Sequence, residues 1–196
     1  MNGIFTYAGL TGTNSIDGAT TFVGNWVYGE RSAYVLFSYT NNSQKPSVIN
    51  VSGNWMNLSP FVFGAANDGP GAAAAIAFCN TANVLGNTLV TGGHGVCFGV
   101  SCSNALIMDN DFGAATYRAI GYAFNANALP YSSLPNAWVF RNLLGQGVSF
   151  HAELPYNEAF GWFFNQNTYL DSNSNSVPSF LDPASSSAHV SNQGTP

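Results

Sequence analysis

Apolar positions along this chain recur in short pairs set around an asparagine, not at the three- to four-residue interval of a helix. Six asparagines carry the pattern: Asn25, Asn54, Asn87, Asn110, Asn142 and Asn167, separated by 29, 33, 23, 32 and 25 residues. Three positions before each stands an apolar residue (Phe22, Val51, Val84, Ile107, Val139, Phe164), and two positions after it stands another (Val27, Met56, Leu89, Phe112, Leu144, Tyr169). Five positions before it are Ile49, Ala82, Ala105, Ala137 and Trp162, with Thr20 in the first copy. Apolar residues two apart, then the asparagine, then an apolar residue two further on predict a short strand, a bend and a second strand.

An apolar-x-aromatic triplet follows the asparagine in five of the copies: Val35 to Phe37, Phe61 to Phe63, Val96 to Phe98, Ile120 to Tyr122 and Val148 to Phe150. Strand alternation turns its outer members inward and its middle members, Leu36, Val62, Cys97, Gly121 and Ser149, outward. Gly95 and Gly147 precede two triplets, where a tight turn with positive φ is expected. A unit this small cannot bury its own apolar face, so successive units must stack. The expected fold is therefore all-β, a right-handed parallel β-helix of about six coils over residues 1–170, with residues 171–196 as a capping loop or tail. In-register stacking would set the six side-chain amides in a ladder that satisfies the backbone at each bend.

The stretch Gly95-Val96-Cys97-Phe98-Gly99-Val100-Ser101-Cys102-Ser103-Asn104-Ala105-Leu106-Ile107-Met108-Asp109-Asn110-Asp111-Phe112 resembles the repeats of the pectin-lyase-like superfamily of right-handed parallel β-helices. Ala137 to Leu144 and Trp162 to Tyr169 are weaker copies, and the likeness runs from about Thr20 to Tyr169. The chain departs from that superfamily in having fewer coils and no helical segment before the first. The resemblance implies a fold more than a chemistry, because polysaccharide lyases, galacturonases, epimerases, phage tailspikes and adhesin stalks all use it.

Composition narrows the partners. Only 13 residues are formally charged, the net charge is −5, and Lys45 is the only lysine. No basic stripe can form, so nucleic acid and capture of a polyanionic glycan by charge alone are excluded. No apolar run reaches the roughly 18 residues of a transmembrane helix. Residues 1–10 have neither the charged start nor the apolar stretch of a secretory signal, and the chain reads as a mature region or a fragment. Low charge with many Asn, Ser and Gly points to an extracellular or cell-surface setting, and sequons at Asn41, Asn50 and Asn57 would allow glycosylation there.

Candidate chemistry is found by searching columns, since residues far apart in sequence meet when coils stack. Counting two positions before each triplet gives Ala33, Ser59, His94, Arg118 and Gln146, and the position before the ladder asparagine gives Gly86, Asp109 and Arg141. Together with Asp111, the residues His94, Arg118, Asp109 and Arg141 form a candidate catalytic set of acids and bases. The competing reading is an ordinary cross-strand ion pair between Asp109 and Arg141, with His94 as a turn residue. His151 with Glu153, near Glu158, is a candidate acid/base or substrate-binding pair, or else an end-of-strand hydrogen bond. Trp26 and Trp55 directly follow ladder asparagines and would offer a flat, exposed strip for sugar rings or a partner chain, unless loops cover them. Trp138 and Trp162 sit nearer the inward columns and are expected to pack in the core.

Cys79 and Cys102 each stand eight residues before a ladder asparagine, compatible with a disulfide or with stacked buried thiols, while Cys97 would be the odd thiol. No metal-ligand spacing and no cofactor motif appears. The function these features predict is carbohydrate binding or carbohydrate chemistry on a lyase- or hydrolase-like β-helix acting on a polysaccharide or glycan. The alternative is a non-enzymatic structural or adhesive module, such as a stalk, spike or fibre segment, compatible with a homo-oligomer.

Overall fold

The computed structural model describes residues 2–8, 19–28, 32–38, 48–58, 72–76, 79–98, 104–122, 136–147, 151–152, 162–179 and 189–191. Every regular element among them is a strand, and the named strands pair in parallel in three stacks. The first stack holds β2 (Ala19–Val23), β5 (Val48–Ser52), β8 (Thr81–Leu85), β10 (Asn104–Met108), β13 (Asn136–Phe140), β15 (Trp162–Asn165) and β17 (His189–Ser191). The second holds β3 (Trp26–Tyr28), β6 (Trp55–Asn57), the start of β9 (Thr88–Phe98), β11 (Asp111–Phe112), β14 (Leu143–Gly145) and β16 (Thr168–Leu170). The third holds β1 (Asn2–Ala8), β4 (Ser32–Ser38), β7 (Ala72–Ile76), the end of β9 and β12 (Ala115–Tyr122). The chain is thus an all-β parallel solenoid.

The inward columns stack as the spacing requires. Ile49, Ala82, Ala105, Ala137 and Trp162 pair in succession, as do Val51, Val84, Ile107, Val139 and Phe164. With Met56, Leu89, Phe112, Leu144 and Tyr169 they are at most 3% exposed. Burying a column of this kind removes apolar area from water at about 25 cal/mol per Å², which is the main stabilising term. At the end of the rod, the Val177 N–H donates to the Tyr169 carbonyl at 2.9 Å and its side chain packs on the core.

The asparagines occupy the bend between the first and second stacks. The backbone N–H and Nδ2–H of each both donate to Oδ1 of the asparagine in the next coil: Asn54 to Asn87 at 3.1 and 2.9 Å, Asn87 to Asn110 at 2.9 and 2.9 Å. Asn110 to Asn142 (3.0 and 2.9 Å) and Asn142 to Asn167 (2.9 and 3.0 Å) repeat the geometry. The other Nδ2 hydrogen reaches back to a strand carbonyl of the preceding coil, as from Asn87 to Val51 and from Asn110 to Val84, both at 2.8 Å. A primary amide fits because it has two donors and an oxygen with two lone pairs, so nothing is left unsatisfied at 1–2% exposure. At the last rung the Tyr169 hydroxyl hydrogen-bonds Asn167, and burial pushes the phenol pKa up to about 12.

The residue before each of these asparagines takes the left-handed conformation. Gly24, Gly53 and Gly86 have φ of 65, 60 and 60°, and the next three rungs place Asp109, Arg141 and Gln166 there at 57, 52 and 53°. This conformation costs an L-residue about 1–2 kcal/mol, and aspartate tolerates it better than arginine or glutamine.

The third stack departs from the predicted register. Ala74 and Ile76 pair with Val96 and Phe98, and Tyr34 and Leu36 pair with Ala74 and Ile76, so Val35 and Phe37 are one position out. Ala152 stands opposite Ile120. The triplets Phe61 to Phe63 and Val148 to Phe150 lie outside the described residues. Connections of unequal length enter the coil before this stack, so counting from the asparagine loses register there: Ala74 is 20 residues after Asn54, but Val96 is 9 after Asn87. Gly121 is buried: a Cβ there would lie 2.5 Å from the His94 ring, so this position of the triplet is covered and not open to solvent. Gly95 and Gly147 serve close approach, not positive φ: a Cβ would meet the Phe112 ring at 2.3 Å and the Thr116 backbone at 2.2 Å.

Replacing Asn110 by Ala strands the two buried donors of Asn87, so Asn110→Ala is expected to lower the unfolding free energy by about 3 kcal/mol or more in urea titrations. Gln166→Gly relieves the left-handed strain without touching the ladder and is expected to raise it by about 1 kcal/mol.

Candidate functional site

The left-handed bend decides where side chains leave the rod. A Cβ built on Gly24, Gly53 or Gly86 meets no atom within 4 Å, so the outer side of this bend is open. In the last three rungs that space is used by Asp109, Arg141 and Gln166, which form one wall of a shallow groove of about 460 Å³. Asp111, Leu143 and Thr168, just beyond the ladder, form the other wall, and the rungs of Asn110 and Asn142 make the floor.

Arg141 grips Asp109 with two parallel bonds, Nε to Oδ1 and Nη2 to Oδ2, both 2.7 Å. The bidentate bond holds the Asp109 carboxyl below its ordinary pKa and the guanidinium above its own. Both side chains remain about half exposed, and the guanidinium carbon lies 4.7 Å from the Phe140 ring centroid. Asp111 Oδ1 accepts the Gly113 N–H at 3.1 Å, which fixes the carboxylate at the groove edge.

His94 and Arg118 are elsewhere. They pair with each other in the third stack, and His94 is 4% exposed. A carbonyl can only accept, so His94 Nδ1–H donates to the Arg118 oxygen at 3.2 Å, and the ring meets Tyr117 edge-on at 5.0 Å. Burial lowers the His94 pKa to about 4; the backbone bond opposes this and the Arg118 charge adds to it. The five residues expected as one acid/base set are therefore placed as two groups, with Asp109, Asp111 and Arg141 on the groove and His94 with Arg118 on another face. Ala72, not Ser59, is the neighbour of His94 on its other side, and Ser59 lies outside the described residues.

His151 is fully buried, with Nε2–H donating to the Leu170 carbonyl at 3.0 Å and the ring edge-on to Tyr169 at 5.1 Å. Glu153 and Glu158 lie outside the described residues, as do Cys102 and Asn41; Cys79 is buried.

Trp26 is 82% exposed and stacks on Trp55, with ring centroids 5.1 Å apart and planes 27° apart. Parallel in-register strands lie about 4.8 Å apart, so like rings in adjacent rungs lie face to face. The two indoles stand in register on adjacent coils with Trp26 turned outward, as the spacing predicts, and they stack on each other along the axis. Trp162 is 1% exposed as expected, but Trp138 is 56% exposed and stacks on Phe163 at 4.7 Å and 15°. The signal for Trp138 was present: it lies between the inward residues Ala137 and Val139, and alternation turns it out.

No protein-family model, no curated protein and no solved structure matches the chain. Among the described residues no group of three His, Cys, Asp or Glu could hold a metal ion, and no helix is long and apolar enough to cross a membrane.

The His94 environment gives a pH dependence. The unfolded imidazole titrates near 6.5 and the folded one near 4. Only the unfolded chain binds the proton between those values, so this contribution is complete above about pH 6.5 and falls by about 3 kcal/mol as pH drops to about 4. An NMR titration should find the His94 midpoint near 4; a midpoint near 6.5 would contradict the burial argument.

Proposed function

We propose that this chain is an extracellular glycan-binding β-helix of the pectin-lyase-like type, which holds a neutral sugar chain in the groove without cleaving it. The observation that carries the reading is the run of three non-glycine residues, Asp109, Arg141 and Gln166, in a left-handed conformation that glycine fills in the first three rungs. Strain of this kind persists where the side chain has a use that outweighs it. The three present carboxylate acceptors, guanidinium donors and an amide with both, a set suited to sugar hydroxyls, which donate and accept.

Charge selects the ligand class. The guanidinium is already matched by Asp109, and Asp111 leaves the groove with an excess of negative charge, which disfavours uronates and sulfated sugars. Binding is favoured over cleavage because the paired Asp109 is held ionised and cannot easily donate a proton, while His94 is buried in another stack. A structural or adhesive role is the second reading, favoured by the exposed apolar side chains Val23 (59%), Trp26 (82%) and Tyr28 (76%) at one end of the rod.

Affinity measurements against neutral and acidic polysaccharides, with assays for new reducing or unsaturated ends, test this proposal. Neutral chains should bind, and no new ends should appear. Gln166→Gly should weaken binding about tenfold, equivalent to about 1.4 kcal/mol, while the protein becomes more stable. No binding to any polysaccharide, preference for polyuronates, or release of new ends would overturn the reading.

A further inference from the structure

Resting on that reading, we infer that the ligand is a linear, unbranched stretch of neutral glycan lying parallel to the solenoid axis, and that contact with three successive rungs sets the length recognised. The groove is defined by the same two positions repeated three times, one before and one after the ladder asparagine. Asp109 and Asp111, Arg141 and Leu143, and Gln166 and Thr168 all line it. Its length therefore follows the stacking direction, and its width is a single bend of the chain.

The wall is continuous along that direction. The two bonds between Asp109 and Arg141 tie adjacent rungs into one rail, and Gln166 extends it by a third. At the next rung the wall stops, because Gly86 has no side chain and nothing lies within 4 Å of where its Cβ would be. Three rungs at about 4.8 Å set the end contacts on the order of 10 Å apart. The advance of one pyranose ring in an extended chain is comparable to one rung, so successive sugars meet successive rungs. A branch directed sideways would meet the rail on one side or Asp111, Leu143 and Thr168 on the other, so only a branch turned to solvent is accommodated.

The arrangement also shows how the site could be lengthened. Asparagine tolerates a left-handed backbone and has an amide like that of Gln166, so Gly86→Asn adds a fourth contact to the wall in space that is empty. The opposite residue in that rung, Thr88, pairs with Asp111 and offers a hydroxyl as Thr168 does.

The test is calorimetric binding of a series of neutral linear oligosaccharides, from one to six sugars, to the wild-type chain and to Gly86→Asn, after circular dichroism has shown both folded. Affinity should rise about tenfold or more from one sugar to three and then level off for the wild type, and should go on rising to four for the variant. An oligosaccharide of the same backbone with a branch on every sugar, so that some branches must point sideways, should bind at least about tenfold more weakly than the linear one. If glycans bind but a single sugar binds as tightly as three, or if branching is without effect, the axial arrangement is wrong while glycan binding stands. Should the variant fail to fold, the wild-type length series and the branched comparison decide alone. If neither polysaccharides nor oligosaccharides bind, the functional reading itself fails.

Discussion

The structure depends on one hydrogen-bonded column, the stacked amides of Asn54, Asn87, Asn110, Asn142 and Asn167, with Asn25 bonded to Asn54 at its start. A parallel solenoid must turn a corner in every coil, and there the residues on either side of the asparagine still bond from coil to coil, as Gly86 N–H to the Met108 carbonyl and Thr88 N–H to the Asn54 carbonyl, while the asparagine's own N–H is left without a backbone partner. One buried amide per coil resolves this by accepting the N–H and Nδ2–H of the coil before and returning a bond to its strand carbonyl. Carboxylate, hydroxyl or apolar side chains supply only part of that set, which is why the asparagine recurs while the intervals between copies vary.

The column also governs the surface. Fixing the asparagine forces the preceding residue into a left-handed conformation, and the residue chosen there determines whether the outer bend is bare or bears side chains. Glycine leaves the first three rungs smooth, whereas Asp109, Arg141 and Gln166 roughen the last three and create the groove. The stacking distance that suits the amides also suits aromatic rings. Trp26 on Trp55 and Trp138 on Phe163 therefore pack along the axis, so side chains that would be platforms on a flat sheet become face-to-face stacks.

Much of the fold was legible because the inward columns and the asparagine stand at fixed offsets from one another. Those offsets hold across a strand, a two-residue bend and a second strand, where no insertion can enter. Register was lost in the third stack because the connections before it differ in length, and the alanine-rich β7 gave no apolar contrast to mark it. The candidate site was half legible. Asp109 and Arg141 were found because they stand next to the ladder, and the ion pair between them is real. Gln166, in the same column one rung on, was overlooked because it carries no charge, although its place before Asn167 marked it. His94 was grouped with them from a count through the variable connection, and the structure instead shows it buried under Gly121.

The central claim is that side chains 23 to 33 residues apart in the sequence lie within hydrogen-bond distance of one another. Nuclear Overhauser contacts between assigned side-chain amides measure this directly. The account predicts contacts from Asn87 to both Asn54 and Asn110, and from Asn142 to both Asn110 and Asn167. Side-chain amides of these residues that show only local contacts would contradict it.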